Sequence, residues 1–114
     1  MRRSAFPARA SYFAYLLRCG DGTFYAGYTR DPSRRLLAHR EGRAARYTRG
    51  RGPWEFAAMW RCRTMRDALR LEHLLKRLGR EGRLRLVRGT ALVQVIPAAA
   101  ELGARRVGPA ILVR

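Results

Sequence analysis

The stretch Tyr12-Phe13-Ala14-Tyr15-Leu16-Leu17-Arg18-Cys19-Gly20-Asp21-Gly22-Thr23-Phe24-Tyr25-Ala26-Gly27-Tyr28-Thr29 decides the fold. Two short runs rich in aromatic and apolar residues flank Gly20-Asp21-Gly22. Aromatic and branched side chains suit a pleated, half-buried surface, and a Gly-Asp-Gly run supplies the tight reversal of a hairpin. The pattern predicts strands over residues 12–18 and 23–29. Gly27, inside the second strand, predicts a bulge or a close approach by another backbone or a ligand. The hairpin puts Tyr15 and Tyr25 on neighbouring strands.

Outward from the hairpin, Asp31 and Pro32 read as the N-cap and first residue of a helix, anchored by Leu36 and Leu37 and ended by Gly42. Arg35 and His39 are four apart and share a face of it. Residues 42–53 form a Gly-rich basic loop carrying Arg43, Arg46, Arg49 and Arg51. Trp54 to Cys62 reads as a third strand. Thr64 and Asp67 open a second long helix that runs to about Leu78 and stops at Gly79. Glu81 to Val87 reads as a short helix. Residues 1–11 read as a flexible basic arm, residues 12–88 as one α+β domain, and residues 89–114 as a C-terminal extension with two apolar segments and no evident placement.

The chain has 114 residues, enough for a single domain with a modest core. Twenty-five Lys and Arg residues face 8 Asp and Glu, a net charge of +17. Such an excess favours a polyanionic partner. Lys76 is the sole lysine, so the positive charge is carried by arginine, whose planar fork bonds two phosphate oxygens at once. Cys19 and Cys62 lack metal-ligand spacing and read as buried thiols of a reducing compartment. No apolar stretch is long enough to span a membrane. The expected location is the cytoplasm, at the nucleoid.

With so few acids, each can be asked its purpose. Asp31 and Asp67 cap helices, Asp21 is a turn residue, Glu41, Glu81 and Glu101 lie beside glycines, and Glu55 faces solvent from a strand. Glu72 is different. It borders the apolar helix face of Ala68, Leu71, Leu75 and Leu78, where a carboxylate is expensive to desolvate unless it is paired or binds a metal. A salt bridge to an arginine and a metal site both fit. One carboxylate does not make a two-metal centre, but it suffices for a single Mg²⁺ that keeps most of its waters.

These residues resemble the GIY-YIG nuclease family. The first half-motif is Phe13-Ala14-Tyr15-Leu16-Leu17 and the second is Tyr25-Ala26-Gly27. The family's arginine falls on Arg35 within Ser33-Arg34-Arg35, its helical histidine on His39, and its metal-binding glutamate on Glu72 within Ala68-Leu69-Arg70-Leu71-Glu72. Gly27-Tyr28-Thr29 and Tyr47-Thr48-Arg49-Gly50-Arg51-Gly52-Pro53-Trp54-Glu55 look most like two compact branches. One is the small single-domain bacterial proteins related to the excinuclease N-terminal domain. The other is the endonucleases that cut branched DNA. Phe13 stands where the family name has glycine. The chain has no asparagine, so the late asparagine of some branches is missing.

The resemblance implies a small three-stranded antiparallel sheet flanked by helices, and metal-dependent hydrolysis of DNA phosphodiesters, selective for structure and linked to repair or recombination. It implies catalytic roles for Tyr15, Tyr25, Arg35, His39 and Glu72. Glu72 would hold Mg²⁺ or Mn²⁺ and Arg35 would neutralise phosphoryl charge. One tyrosine would orient or deprotonate water with a lowered pKa, and the other would hold the phosphate. Which does which stays open. Arg34, Arg43, Arg46, Tyr47, Thr48, Arg49 and Arg51 would contact the nucleic acid. The partner would be DNA, branched or damaged, with room for a protein partner. The competing reading is a DNA- or RNA-binding module that keeps the scaffold without turnover.

Overall fold

The computed structural model describes residues 11–108. The expected basic arm, except Ser11, and the last apolar segment lie outside the described residues. The chain order is β1 (Tyr12–Arg18), β2 (Phe24–Thr29), α1 (Pro32–Arg40), β3 (Glu55–Cys62), α2 (Met65–Arg77), α3 (Arg80–Val87), α4 (Leu92–Val95), a 3₁₀ turn over Pro97–Leu102, and β4 (Arg105–Val107). The sheet order is β2-β1-β3-β4, with every neighbouring pair antiparallel. This is the α+β architecture expected, with four strands in place of three. The fourth, Arg105-Arg106-Val107, is short and mostly polar, so it carries no strand signal of its own. It forms because β3 offers it a free edge.

Local chemistry explains the elements. In the hairpin turn the Asp21 carboxylate accepts from the Thr23 amide at 3.0 Å and its hydroxyl at 2.6 Å, while Gly22 takes φ +87°. The Asp31 side chain accepts from the Arg34 amide at 3.2 Å and caps α1, with Pro32 at its first position. The Thr64 hydroxyl accepts from the Asp67 amide at 3.1 Å and caps α2.

The sheet is buried on both faces. Ala14, Leu16, Ala26, Ala58 and Trp60 meet Ala68, Leu71 and Leu75 of α2, together with Leu86, Leu92, Ile96 and Leu102. Residues 92–102 therefore complete this core. On the other face Phe13, Tyr15, Leu17, Phe56 and Met59 pack against Leu36 of α1. Leu16 pairs with Ala58 but Leu17 with Phe56, so Ala57 is bulged, and Phe56 and Met59 share a face despite odd spacing. The Arg83 guanidinium donates to the carbonyls of Leu75, Lys76 and Phe24, the last at 2.6 Å. It closes the C-terminal end of α2 and ties that helix to β2.

Candidate active site

Two helices on opposite faces of the sheet bring their polar side chains to the β1–β2 hairpin. Tyr15, mid-strand in β1, is 1% exposed and faces α1. Its hydroxyl lies 2.9 Å from His39 Nε2, and His39 Nδ1 lies 2.9 Å from the Thr48 hydroxyl. The Thr48 hydroxyl in turn donates to the Ala45 carbonyl at 3.1 Å. His39 and Thr48 have no solvent exposure. Burial, reinforced by the Arg35 charge, lowers the His39 pKa to about 4, so the imidazole is neutral near pH 7.

Burial also raises the Tyr15 pKa, outweighing the lowering by nearby Arg35. For Tyr15 this corrects the expectation of a lowered pKa: burial of the phenol outweighs the one arginine beside it. Gly27 pairs directly with Tyr15, and a Cβ there would overlap the phenol carbon and oxygen. The close approach expected at Gly27 is thus made by a side chain.

Tyr25 is half-buried, two residues before Gly27 on the same face of β2. Its ring stands edge-on to His39 at 5.6 Å between centroids and stacks on Tyr47 at 5.8 Å. The Arg51 guanidinium covers Tyr47 at 4.6 Å from its centroid. Arg35, from α1, acts electrostatically on Tyr15, Tyr28 and His39, and has no acidic partner among the described residues. Glu72 enters from α2 on the other face and acts on the phenols of Tyr15 and Tyr28. Its side chain is 19% exposed and 3.4 Å from Lys76 Nζ, one turn on. The five residues expected to act together therefore gather around the hairpin, while His73 points to solvent.

The residues expected to bind nucleic acid differ in what they can offer. Arg46 and Arg49 are exposed, although Arg49 Nε donates to the Gly42 carbonyl at 3.3 Å. Arg43 is paired with Glu41, and Arg51 with Asp21 at 2.6 Å. Tyr47 is 45% exposed. Thr48 corrects the expectation for it: it sits inside the loop with its hydroxyl bonded to His39 and Ala45, and offers nothing to a ligand outside. Arg34 lines a cleft of about 370 Å³ with Tyr28, Arg30 and Arg35. Tyr28 and the inward role of Thr48 were missed from sequence. The Tyr28 signal was strand alternation, since the residue after Gly27 must face α2 and hence Glu72. Thr48 had no signal beyond its place in the loop.

Among the described residues no three His, Cys, Asp or Glu side chains converge on one point. Glu72 is a lone, mostly buried carboxylate held by one flexible lysine. That donor set fits a hard cation taking one carboxylate plus water and phosphate oxygens. Among the described residues no helix is long and apolar enough to cross a membrane.

A family model described as "GIY-YIG catalytic domain" matches residues 11–85. UPF0213 protein BH0048 of Halalkalibacterium halodurans is 42% identical over 77 residues, 68% of this chain and 82% of that protein. UPF0213 protein OB0043 of Oceanobacillus iheyensis is 38% identical over 76 residues, 67% of this chain and 88% of that one. The solution NMR structure of BH0048 from Bacillus halodurans aligns with 81% of this chain and 98% of its own at 35% identity and a TM-score of 0.47.

Proposed function

This chain belongs to the GIY-YIG catalytic domain family, a nuclease fold, and on that premise we propose that it is a metal-dependent endonuclease hydrolysing DNA phosphodiesters. The observation that carries this reading is the buried Tyr15–His39 hydrogen bond at 2.9 Å, set beside Arg35, which has no acidic partner among the described residues, and the mostly buried carboxylate of Glu72. Packing alone requires none of these polar groups at the hairpin.

Each residue has a task. Arg35 binds a non-bridging phosphate oxygen and stabilises the charge that grows there during attack. Tyr25, half-buried and stacked on Tyr47, holds the substrate backbone. Tyr15 donates its proton to His39 and keeps lone pairs on its oxygen for the attacking water. As that water gives up a proton to Tyr15, the Tyr15 proton moves to His39, so the buried phenol never carries a full charge. His39 alone is a weak base at a pKa of about 4. The substrate's negative charge beside it favours the imidazolium and strengthens it when needed. Glu72 would hold the divalent ion, Mg²⁺ or Mn²⁺, which when bound supplies Lewis-acid charge stabilisation.

The net charge of +17 and the exposed arginines of the loop support tracking of a phosphate backbone. Such contacts carry no base information. We extend the proposal to selectivity for branched or damaged DNA, a role in repair, action at the nucleoid and recruitment by a protein partner. The second reading, a DNA- or RNA-binding module without turnover, shares the charge but gives Glu72 no task.

The test is cleavage of labelled duplex, single-stranded, flap and junction DNA by wild type and Glu72→Ala, with Mg²⁺ or EDTA. Cutting that needs both metal and Glu72 supports the nuclease and ranks its substrates. Binding without cutting in every lane supports the binding module.

A further inference from the structure

We propose that Thr48 is a positioning residue: its hydroxyl fixes His39 as the Nδ1–H tautomer and so turns the Nε2 lone pair toward Tyr15. Its effect on catalysis rests on the nuclease reading above. The tautomer itself follows from hydrogen-bond accounting.

Four groups lie in a row: the Tyr15 hydroxyl, the His39 ring, the Thr48 hydroxyl and the Ala45 carbonyl. A neutral imidazole has one N–H and one lone pair. If Nδ1 carries the proton, three donors meet three acceptors: Tyr15 O–H to Nε2, Nδ1–H to Thr48 Oγ1, and Thr48 O–H to the Ala45 carbonyl. If Nε2 carries it, Thr48 must donate to Nδ1 and Nε2–H to the Tyr15 oxygen. The Ala45 carbonyl then loses the Thr48 donor, and the proton of a buried phenol has no acceptor along the row. Buried polar groups are rarely left so. The Nδ1–H form therefore holds, and the buried phenol at one end of the row sets its direction.

The surroundings leave Thr48 little freedom to turn. The residue has no solvent exposure, and its own carbonyl accepts from the Trp54 indole at 2.8 Å and the Arg51 amide at 3.1 Å. It sits between Tyr47 and Arg49, so the basic loop is wired to the proton acceptor on α1. The direction has a chemical consequence. A proton can leave Tyr15 only toward a lone pair, and the Nε2–H tautomer offers none there.

The experiment uses the full chain labelled with ¹⁵N-histidine, as wild type, Thr48→Ser and Thr48→Val. Long-range ¹H–¹⁵N correlation reads which nitrogen of each ring is protonated, and exposed His73 serves as the internal reference. In wild type and Thr48→Ser, His39 should show a protonated Nδ1 and an unprotonated Nε2. Thr48→Val keeps the shape but removes the acceptor of Nδ1–H, so the preference for that tautomer should weaken and the Nε2–H form should appear beside it. Cleavage by Thr48→Val should fall about 100-fold in kcat with little change in KM, and Thr48→Ser should restore it.

A wild-type His39 protonated at Nε2 overturns the proposal. So does a Thr48→Val protein whose His39 shows the wild-type tautomer with no Nε2–H form beside it. If Thr48→Val fails to fold, wild type and Thr48→Ser still decide the tautomer. A protein that shows the expected tautomer but cuts no DNA supports the assignment and counts against the nuclease reading.

Discussion

Tyr15 and Gly27 face each other across paired strands, and the Tyr15 phenol occupies the space where any residue but glycine at 27 would put its Cβ. The glycine is needed for the tyrosine's position. The missing side chain at 27 lets the phenol lie flat enough against β2 to reach His39 at 2.9 Å.

Gly27→Ala should therefore affect function beyond its effect on the fold. Overpacking of this kind costs about 1–3 kcal/mol. The phenol must move to admit the methyl, and the His39 hydrogen bond goes with it. A thermal melt should show a folded protein with reduced Tm, and cleavage at a temperature well below that Tm should be lost. Wild-type cleavage by Gly27→Ala would separate the close approach from the chemistry.

Glu72→Gln should abolish metal-dependent cleavage and leave stability almost unchanged. What the substitution removes from the fold is one partly exposed ion pair with Lys76, spaced at one turn, worth about 0.3–0.5 kcal/mol. Denaturant unfolding should show a midpoint near wild type. Calorimetric titration with Mg²⁺ in the presence of uncleavable DNA should show metal binding in wild type alone.

Acid should weaken the fold through His39. Its native pKa is about 4 against an ordinary 6.5. Between those values the unfolded chain binds a proton that the native state does not, so stability falls as pH drops from about 6.5 to about 4. The effect totals about 3 kcal/mol. Urea unfolding across this window should show that slope, and His39→Gln should flatten it.

The loop arginines should contribute unequally to DNA binding. Arg46 has no ion-pair partner among the described residues, whereas Arg43 is already neutralised by Glu41. Removing one phosphate-binding cation reduces the slope of log K against log salt by about 0.9. Arg46→Ala should reduce the slope by nearly that amount and Arg43→Ala by clearly less. Equal changes would mean that the Glu41 pair opens on binding.

The hairpin, α1, β3 and α2 were legible because each carries a local signal: Gly-Asp-Gly, Asp31-Pro32, an aromatic run and the Thr64 cap. Glu72 was legible as a carboxylate beside an apolar helix face. β4 was not, since it exists through its pairing with β3, and its own residues are two exposed arginines and a valine. Thr48 was misread because its neighbours are exposed cations, and nothing local distinguishes a loop threonine that points inward. The Tyr15 pKa was misjudged for a related reason. Sequence shows the charges near Tyr15 but not its burial, and burial dominates.

The most direct measurement is single-turnover cleavage of one labelled DNA phosphodiester by wild type and Tyr15→Phe, each at saturating protein with Mg²⁺. The substitution deletes only the oxygen that bonds His39. The account predicts a loss of about 100-fold or more in rate with DNA affinity unchanged. Cleavage by Tyr15→Phe at the wild-type rate would contradict it.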